Sequence, residues 1–156
     1  MSKSSEIQKL LRRYKDETGI KEVDMKDFAR WAVARGYPLP PPIDPIDRIA
    51  KEFRDAAREE TRTDPETGQD YRVNHMFIVY RGDEQLHLWV DIDETPRAPM
   101  HSACTIRREQ IVGDITQLSF DAEHWNRVNP DAEPIEIEKD FGLDVELRRH
   151  TSPSTV

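Results

Sequence analysis

The sequence predicts an α+β fold, with N-terminal helices, a small antiparallel β-hairpin or meander, one long helix packed on the sheet and an extended acidic C-terminal tail. Three observations lead to this fold class. Apolar residues recur at three- and four-residue spacing up to residue 59, alternate with polar residues between 71 and 92, and return to helical spacing after Pro99. These spacings are typical of amphipathic helices and of half-buried strands.

Three helices are predicted before residue 60, each begun by a residue type that caps helix N-termini. The cap is Ser4 or Ser5 for the first helix, Asp24 for the second and Asp44 for the third. Pro45 then occupies the first helical position, which tolerates proline. We expect the third helix to bury its apolar residues, which are Ile46, Ile49, Ala50, Phe53, Ala56 and Ala57.

Two strand-forming runs follow, at 71–80 and 85–92, and residues 60–63 could add a third strand. The predicted register pairs Ile78 with His87. It gives the hairpin a core face and a second face that is half apolar and should be covered. The core face carries Val73, His75, Phe77, Val79, Leu86, Leu88, Val90 and Ile92. The second face carries Asn74, Met76, Ile78, Tyr80, Gln85, His87, Trp89 and Asp91.

The longest helical pattern runs from residue 99 to 128, either as one continuous helix or broken near Ser119. Arg107 falls on its apolar stripe, between Cys104 and Ile111. We therefore expect Arg107 to be partly buried and paired with an acid of the strand end or of the tail. The acidic segment 133–146 has apolar residues two apart, which predicts an extended chain packed on the body.

The chain is predicted to hold a helical segment at 1–36, a proline-rich connection at 37–43, an α+β body at 44–147 and a disordered tail at 148–156.

Hydrophobic residues make up 36% and charged residues 35%, which indicates a thin core or one completed by a partner. Residues 1–62 carry 14 Lys/Arg against 12 Asp/Glu, and residues 63–156 carry 9 against 19. Such asymmetry is a hint of an interaction surface.

A single cysteine, Cys104, indicates a reducing compartment, so we expect a cytoplasmic protein. The polar N-terminus has no apolar core of a signal peptide, and no apolar run reaches the ~18 residues that span a bilayer. We expect no membrane partner and no cofactor.

Five strings in the second half carry a family resemblance. They are YRVNH at 71–75, LWVDID at 88–93, RREQIVGD at 107–114, DAEHWN at 121–126 and NP at 129–130. Together they resemble an uncharacterised family of hypothetical bacterial proteins that are often found in genomic islands. The resemblance covers roughly residues 38–146, and its most specific string is 107–114. It implies a bacterial origin and a mobile-element or defence context, and it assigns no catalytic residue.

The main functional hypothesis is a non-enzymatic accessory or adaptor protein that contacts another protein or itself. The sequence has no phosphate-binding glycine loop, nucleophile elbow or zinc-finger spacing. The two-sided hairpin and the thin core favour a contact surface, although an enzyme activity is not excluded. The predicted surface consists of Trp89, Met76, Ile78 and Tyr80.

The first alternative is a nucleic-acid-binding regulator that uses the N-terminal helices. Acids interleave with nearly every base there, which is equally typical of a solvated mixed-charge face. The candidate phosphate contacts are Lys9, Arg12, Arg13, Lys26 and Arg30, with Arg35, Arg54 and Arg58 further along.

The second alternative is a metal-dependent hydrolase. Asp91 and Asp93, two apart at a strand end, could hold a divalent cation together with His75 or His101. Such sites usually include a lysine shortly after the acids, and residues 52–138 contain none. The competing interpretation makes His75 a core residue whose neutral ring donates to a carbonyl or a carboxylate.

Overall fold

The computed structural model describes residues 2–151, and the fold is α+β, as the sequence predicts. Contacts divide the chain into an N-terminal unit up to Arg48 and a C-terminal unit from Ile49. Within residues 2–151, no helix is both long and apolar enough to cross a membrane. The elements are α1 (Lys3–Thr18), α2 (Met25–Ala34), α3 (Pro45–Glu59), β1 (Thr61–Thr63), β2 (Asp70–Arg72), β3 (Asn74–Arg81), β4 (Glu84–Asp91), α4 (Arg97–Val128) and α5 (Gly142–Thr151).

The N-terminal unit is built on three aromatic rings. Tyr14 of α1 lies 5.4 Å from Phe28 and 5.3 Å from Trp31 of α2, measured between ring centroids. Tyr14 and Phe28 are buried, so these rings form the small core of α1 and α2. Ring pairs at this separation stabilise beyond their buried area.

The ends of these helices follow from local chemistry. Asp24 caps α2 as predicted, because its carboxylate accepts hydrogen bonds from the N–H groups of Lys26 and Asp27. The cap of α1 is Ser2, whose hydroxyl accepts from the N–H of Ser5, so the predicted Ser4 or Ser5 cap was two or three residues too late. Because Ser2 satisfies the free N–H of Ser5, the helix begins at Lys3, and Ser4 and Ser5 lie inside its first turn.

Two antiparallel hairpins, β1–β2 and β3–β4, form the sheet part of the C-terminal unit. The predicted register of β3 and β4 is confirmed, since Ile78 pairs with His87. The run predicted as one strand is divided at Val73, which is only 1% exposed. Its N–H donates to the carbonyl of Glu60 and its own carbonyl accepts from Ile92, so Val73 joins the ends of both hairpins.

Helix α4 is continuous over 32 residues and contacts β3. Its fully buried residue there is Ala103. The predicted apolar stripe was wrong at this end, because Cys104 and Arg107 are exposed and Ile111 is 56% exposed. At Cys104 and Arg107 the reason is that another side of the helix is covered, the side with Ala103 and the half-buried Ile106. Further along the reason is length: such a helix spans ~48 Å, whereas a strand of eight residues spans ~27 Å. Most of α4 therefore extends past the hairpin.

The predicted extended tail is only partly correct. Residues 133–141 have no regular structure, but Gly142–Thr151 is a helix, so the predictions of extended chain to 146 and disorder from 148 were wrong there. Asp140 accepts a hydrogen bond from the N–H of Gly142 at the helix start. Acidic residues in the first turn and basic ones in the last also suit the helix dipole. The predicted disorder of 152–156 lies outside the described residues.

Candidate functional site

An open groove lies between α3 and the second face of the β3–β4 hairpin, and we call it the α3 groove. Its volume is about 530 Å³, within the range of small-molecule and side-chain pockets. The groove is walled by apolar side chains and rimmed by basic ones. The lining residues are Ala50, Phe53, Arg54, Ala57, Arg58, Met76, His87 and Trp89.

The α3 wall is far more exposed than the sequence predicts. Ile46 and Phe53 are each 71% exposed, and Ile49 is 44% exposed. The predicted burial of this helix face was therefore wrong. The hairpin holds the end of the helix, where the Asn74 amide donates to the Ala57 carbonyl at 3.1 Å and to the Glu60 carboxylate at 2.7 Å. The hydrogen bonds anchor this end of α3, while Ile46, Ile49 and Phe53 on its apolar face stay exposed.

The hairpin wall contains two residues of the predicted contact surface. Met76 pairs directly with Trp89 across the strands, and both are half-buried. The Arg58 guanidinium carbon lies 5.5 Å from the centroid of the Trp89 ring, within cation–π range. The other two residues of that surface, Ile78 and Tyr80, lie on the same hairpin face further along β3. Tyr80 is 69% exposed.

The rim of the groove is basic. Arg54 and Arg58 line it on successive turns of α3. The nearby acid Asp55 binds Lys51 at 2.7 Å and Arg58 at 3.3 Å. The hydrogen bond from Lys51 is the main cause that lowers the pKa of Asp55, so this carboxyl stays ionised. The groove thus combines apolar walls with guanidinium groups, a combination that suits an apolar ligand bearing carboxylates.

The strand-end acids form an ion-pair cluster with an arginine that sequence reasoning missed. Arg62 of β1 binds Asp91 at 2.8 and 3.2 Å and Asp93 at 2.6 Å. The Tyr71 hydroxyl donates to Asp93 at 2.9 Å. The hydrogen bond from Arg62 lowers the pKa of Asp91, and the bond to Asp93 raises the pKa of Tyr71. The predicted partner, Arg107, is exposed instead.

The four predicted metal ligands are not brought together. Asp91 and Asp93 bind Arg62, and the ring Nε2 of His75 donates to the carbonyl of Arg72 at 2.8 Å. His75 is 7% exposed, which confirms the interpretation of a core histidine. His101 is exposed on α4. In the part of the chain from Ser2 to Thr151, no three His, Cys, Asp or Glu residues lie together as a metal site would need.

The predicted nucleic-acid contacts are partly neutralised by acids one turn away. Arg13 binds Glu17 at 2.6 Å, and Arg30 binds Asp27 at 2.7 Å. The remaining candidates lie on both helices of the N-terminal unit, with Lys9 and Arg12 on α1 and Lys26 on α2. Arg35 stacks on Trp31 at 4.1 Å from the ring centroid and binds Glu17. Ion pairing within the unit competes with phosphate binding.

Sequence analysis missed Arg62 and placed Phe53 on a buried face, and only Arg62 had a usable signal. Arg62 stands between two threonines in the predicted extra strand. The signal for it was the pair Asp91 and Asp93 at a neighbouring strand end, because two carboxylates so close together need a cation. Phe53 was assigned to a buried face because its spacing is helical, and spacing reports only which residues share a face. The exposure of that face depends on what packs against it.

Comparison with family models, curated proteins and solved structures found no match to this chain. The α3 groove is the candidate site, because the exposed phenyl ring of Phe53 lies there beside two arginines.

Proposed function

We propose that this protein is a non-enzymatic adaptor that works through protein contacts, and that the α3 groove binds an amphipathic segment of a partner protein. The observation that carries the proposal is Phe53, a phenyl ring 71% exposed in the same groove as Met76 and Trp89. Aromatic residues and methionine are enriched in protein interfaces. Exposed apolar groups that share one concave surface are typical of a contact site.

The chemistry of the groove specifies the partner segment. Walls formed by a helix and a sheet face suit one apolar face of a helix, which presents anchors at three- and four-residue spacing. Met76 is flexible and polarizable, so it adapts to anchors of different shape. Arg54 and Arg58 at the rim favour acidic residues beside those anchors, because guanidinium and carboxylate groups form strong, directional pairs.

The cellular setting is part of the same proposal. The five strings at 71–75, 88–93, 107–114, 121–126 and 129–130 support a bacterial origin and a mobile-element or defence context. The single cysteine, Cys104, supports a reducing compartment such as the cytoplasm.

Selection from a random peptide library displayed on phage tests the groove. We expect the full chain to enrich peptides that combine bulky apolar and acidic residues, and a Phe53→Glu variant to lose this enrichment. Phe120→Glu is the matched control, because Phe120 is 60% exposed on another helix. Equal enrichment by wild type and Phe53→Glu, or no enriched motif, would contradict the proposal.

Capture from a bacterial lysate, with and without nuclease, then identifies the partner. A protein that survives nuclease treatment and is lost with Phe53→Glu, but kept with Phe120→Glu, is the expected partner. Proteins that disappear with nuclease in every variant would favour the nucleic-acid alternative instead.

A further inference from the structure

A second cavity of the C-terminal unit is lined by arginines from three different elements. Arg58 of α3, Arg72 of β2 and Arg107 of α4 line a space of about 160 Å³, which we call the arginine cavity. No Asp or Glu of the described residues lines it. The chain as a whole carries a net charge of −8, so the cavity is a local concentration of positive charge in an acidic protein. Like charges gathered around one small space repel one another, and an anion between them relieves that repulsion.

The charges of these arginines are largely uncompensated. Among the described residues, neither Arg72 nor Arg107 has a carboxylate within ion-pair distance. Arg58 shares its charge with Asp55, whose carboxylate lies 3.3 Å away and also binds Lys51. Two positive charges therefore remain for a ligand of the arginine cavity.

Acids close to the cavity are held by other donors. Asn74 lines the cavity, and its amide donates to the Glu60 carboxylate at 2.7 Å. Asp91, which pairs with Asn74 across the strands, is bound by Arg62 at 2.8 Å. Neither carboxylate lines the cavity, so an incoming anion meets the arginines first.

The backbone that carries these arginines is held before any ligand binds. His75 is 7% exposed, and its ring Nε2 donates to the carbonyl of Arg72 at 2.8 Å. Arg107 follows the half-buried Ile106 on α4, and both line the cavity. Ordering of this kind lowers the conformational entropy that binding costs.

We propose that the arginine cavity binds a phosphate group in its doubly charged form. Its volume of about 160 Å³ is below the ~300 Å³ at which sites for whole drug-sized molecules begin, so it admits one small group. Each guanidinium presents a planar fork of N–H donors that fits two oxygens of an oxyanion. A phosphate monoester carries about −1.5 to −2 charges at pH 7, which matches the two uncompensated arginines better than a carboxylate does. Gln110 also lines the cavity and adds an uncharged amide donor.

The arginine cavity adjoins the α3 groove, because Arg58, Met76 and Trp89 line both. A molecule held by its phosphate therefore has the groove beside it for the rest of its structure. The phosphate proposal rests on Arg72 and Arg107, which do not line the groove, and so it holds whether or not the groove binds a partner segment.

NMR titration of the isotope-labelled full chain with inorganic phosphate, at constant ionic strength and neutral pH, tests the site. We expect saturable shifts of the Nε–Hε signals of Arg58, Arg72 and Arg107, with a Kd of about 1 mM or below. Arg107→Gln and Arg72→Gln should each raise this Kd about tenfold, because each removes charge-assisted hydrogen bonds to the anion. Shifts that do not saturate, or that are spread equally over other arginines, would overturn the proposal.

The matched control is Arg108→Gln. Arg108 is the next residue on α4, binds Glu109 at 3.0 Å and does not line the cavity. This variant removes the same charge and should leave the phosphate Kd unchanged. Arg107→Lys keeps the charge and loses the planar fork, so its affinity should fall between wild type and Arg107→Gln. The remaining signals of each spectrum verify the fold. Equal Kd values for Arg107→Gln and Arg108→Gln would contradict the site.

Three further titrations establish the ligand class and keep this proposal separate from the α3 groove. Acetate, with a single charge, should bind about tenfold more weakly than phosphate, and equal binding would refute the preference for a dianion. O-phosphoserine that binds at least as tightly as inorganic phosphate supports a phosphate carried by a larger molecule, whereas binding of inorganic phosphate alone supports the free ion. Phe53→Ser removes the ring of the groove without adding charge and should keep the phosphate Kd. Loss of phosphate binding in Phe53→Ser would contradict the independence of the two sites.

Discussion

Arg62 holds Asp91 with two hydrogen bonds, of 2.8 and 3.2 Å, although the residues are 29 positions apart in the sequence. The pair links the β1–β2 hairpin to the end of β4. Asp93 joins the same guanidinium at 2.6 Å and accepts from Tyr71. The two acids that resemble metal ligands in the sequence therefore tie the hairpins together.

The first prediction concerns the pH dependence of this tie. The hydrogen bond from Arg62 lowers the folded-state pKa of Asp91 below its ordinary value of 3.8. The pair therefore stabilises the protein at pH values above the unfolded pKa, and this stability is lost as the pH falls through the lower folded pKa. Urea unfolding should show Arg62→Gln to be less stable than wild type at pH 7, with a difference that shrinks below about pH 4.

Arg97→Gln, which replaces an exposed arginine of the same unit, is the control and should change stability little at any pH. A wild-type advantage over Arg62→Gln that persisted unchanged to pH 2 would show that Asp91 is not the group responsible.

The second prediction concerns Val73, the buried residue that joins the hairpins. Val73→Ala should lower the free energy of unfolding of the C-terminal unit by about 2 kcal/mol, because it removes two buried methyl-sized groups and leaves a cavity. Val128→Ala removes the same atoms from a side chain that is 57% exposed, and should change stability by less than about 0.5 kcal/mol. Equal losses in chemical denaturation would contradict the role assigned to Val73.

The third prediction compares two glycines. Gly19 ends α1 with a positive φ of 71°, a conformation that strains any residue with a Cβ. Gly19→Ala should therefore destabilise α1 by about 1 kcal/mol. Gly113 lies inside α4, where an added Cβ would meet no described atom within 4 Å. Gly113→Ala should stabilise α4 by roughly 0.5–1 kcal/mol. Hydrogen exchange of each helix measures both effects, and changes of the same sign would refute this account.

The fourth prediction concerns the nucleic-acid alternative. Since Glu17 and Asp27 neutralise Arg13 and Arg30, we expect no binding of duplex or single-stranded DNA or RNA at ~50 mM salt. Fluorescence anisotropy with labelled oligonucleotides is the measurement. Binding that weakens steeply with salt and is lost in Arg12→Gln/Lys26→Gln would reverse this expectation.

The local features of the fold could be predicted from the sequence. Asp24 caps α2 because a carboxylate before a helical pattern accepts the free N–H groups. The β3–β4 register follows from the alternation on both strands and from the turn at Gly82, which has a φ of 60°. His75 also proved to be a core histidine: its ring is buried and donates to the carbonyl of Arg72, three residues earlier. Each of these depends on residues close together in the chain.

The tertiary structure alone decided which apolar faces are covered and which charges meet. Periodicity placed Phe53 on an apolar face of α3, but only packing against the hairpin could show that α3 is anchored at its end and leaves that ring exposed. Likewise the sequence assigned an arginine to Asp91, and the structure supplied Arg62 in place of Arg107. Spacing along a helix or strand fixes which side chains point the same way, whereas the partner of each face depends on distant segments that meet when the chain folds.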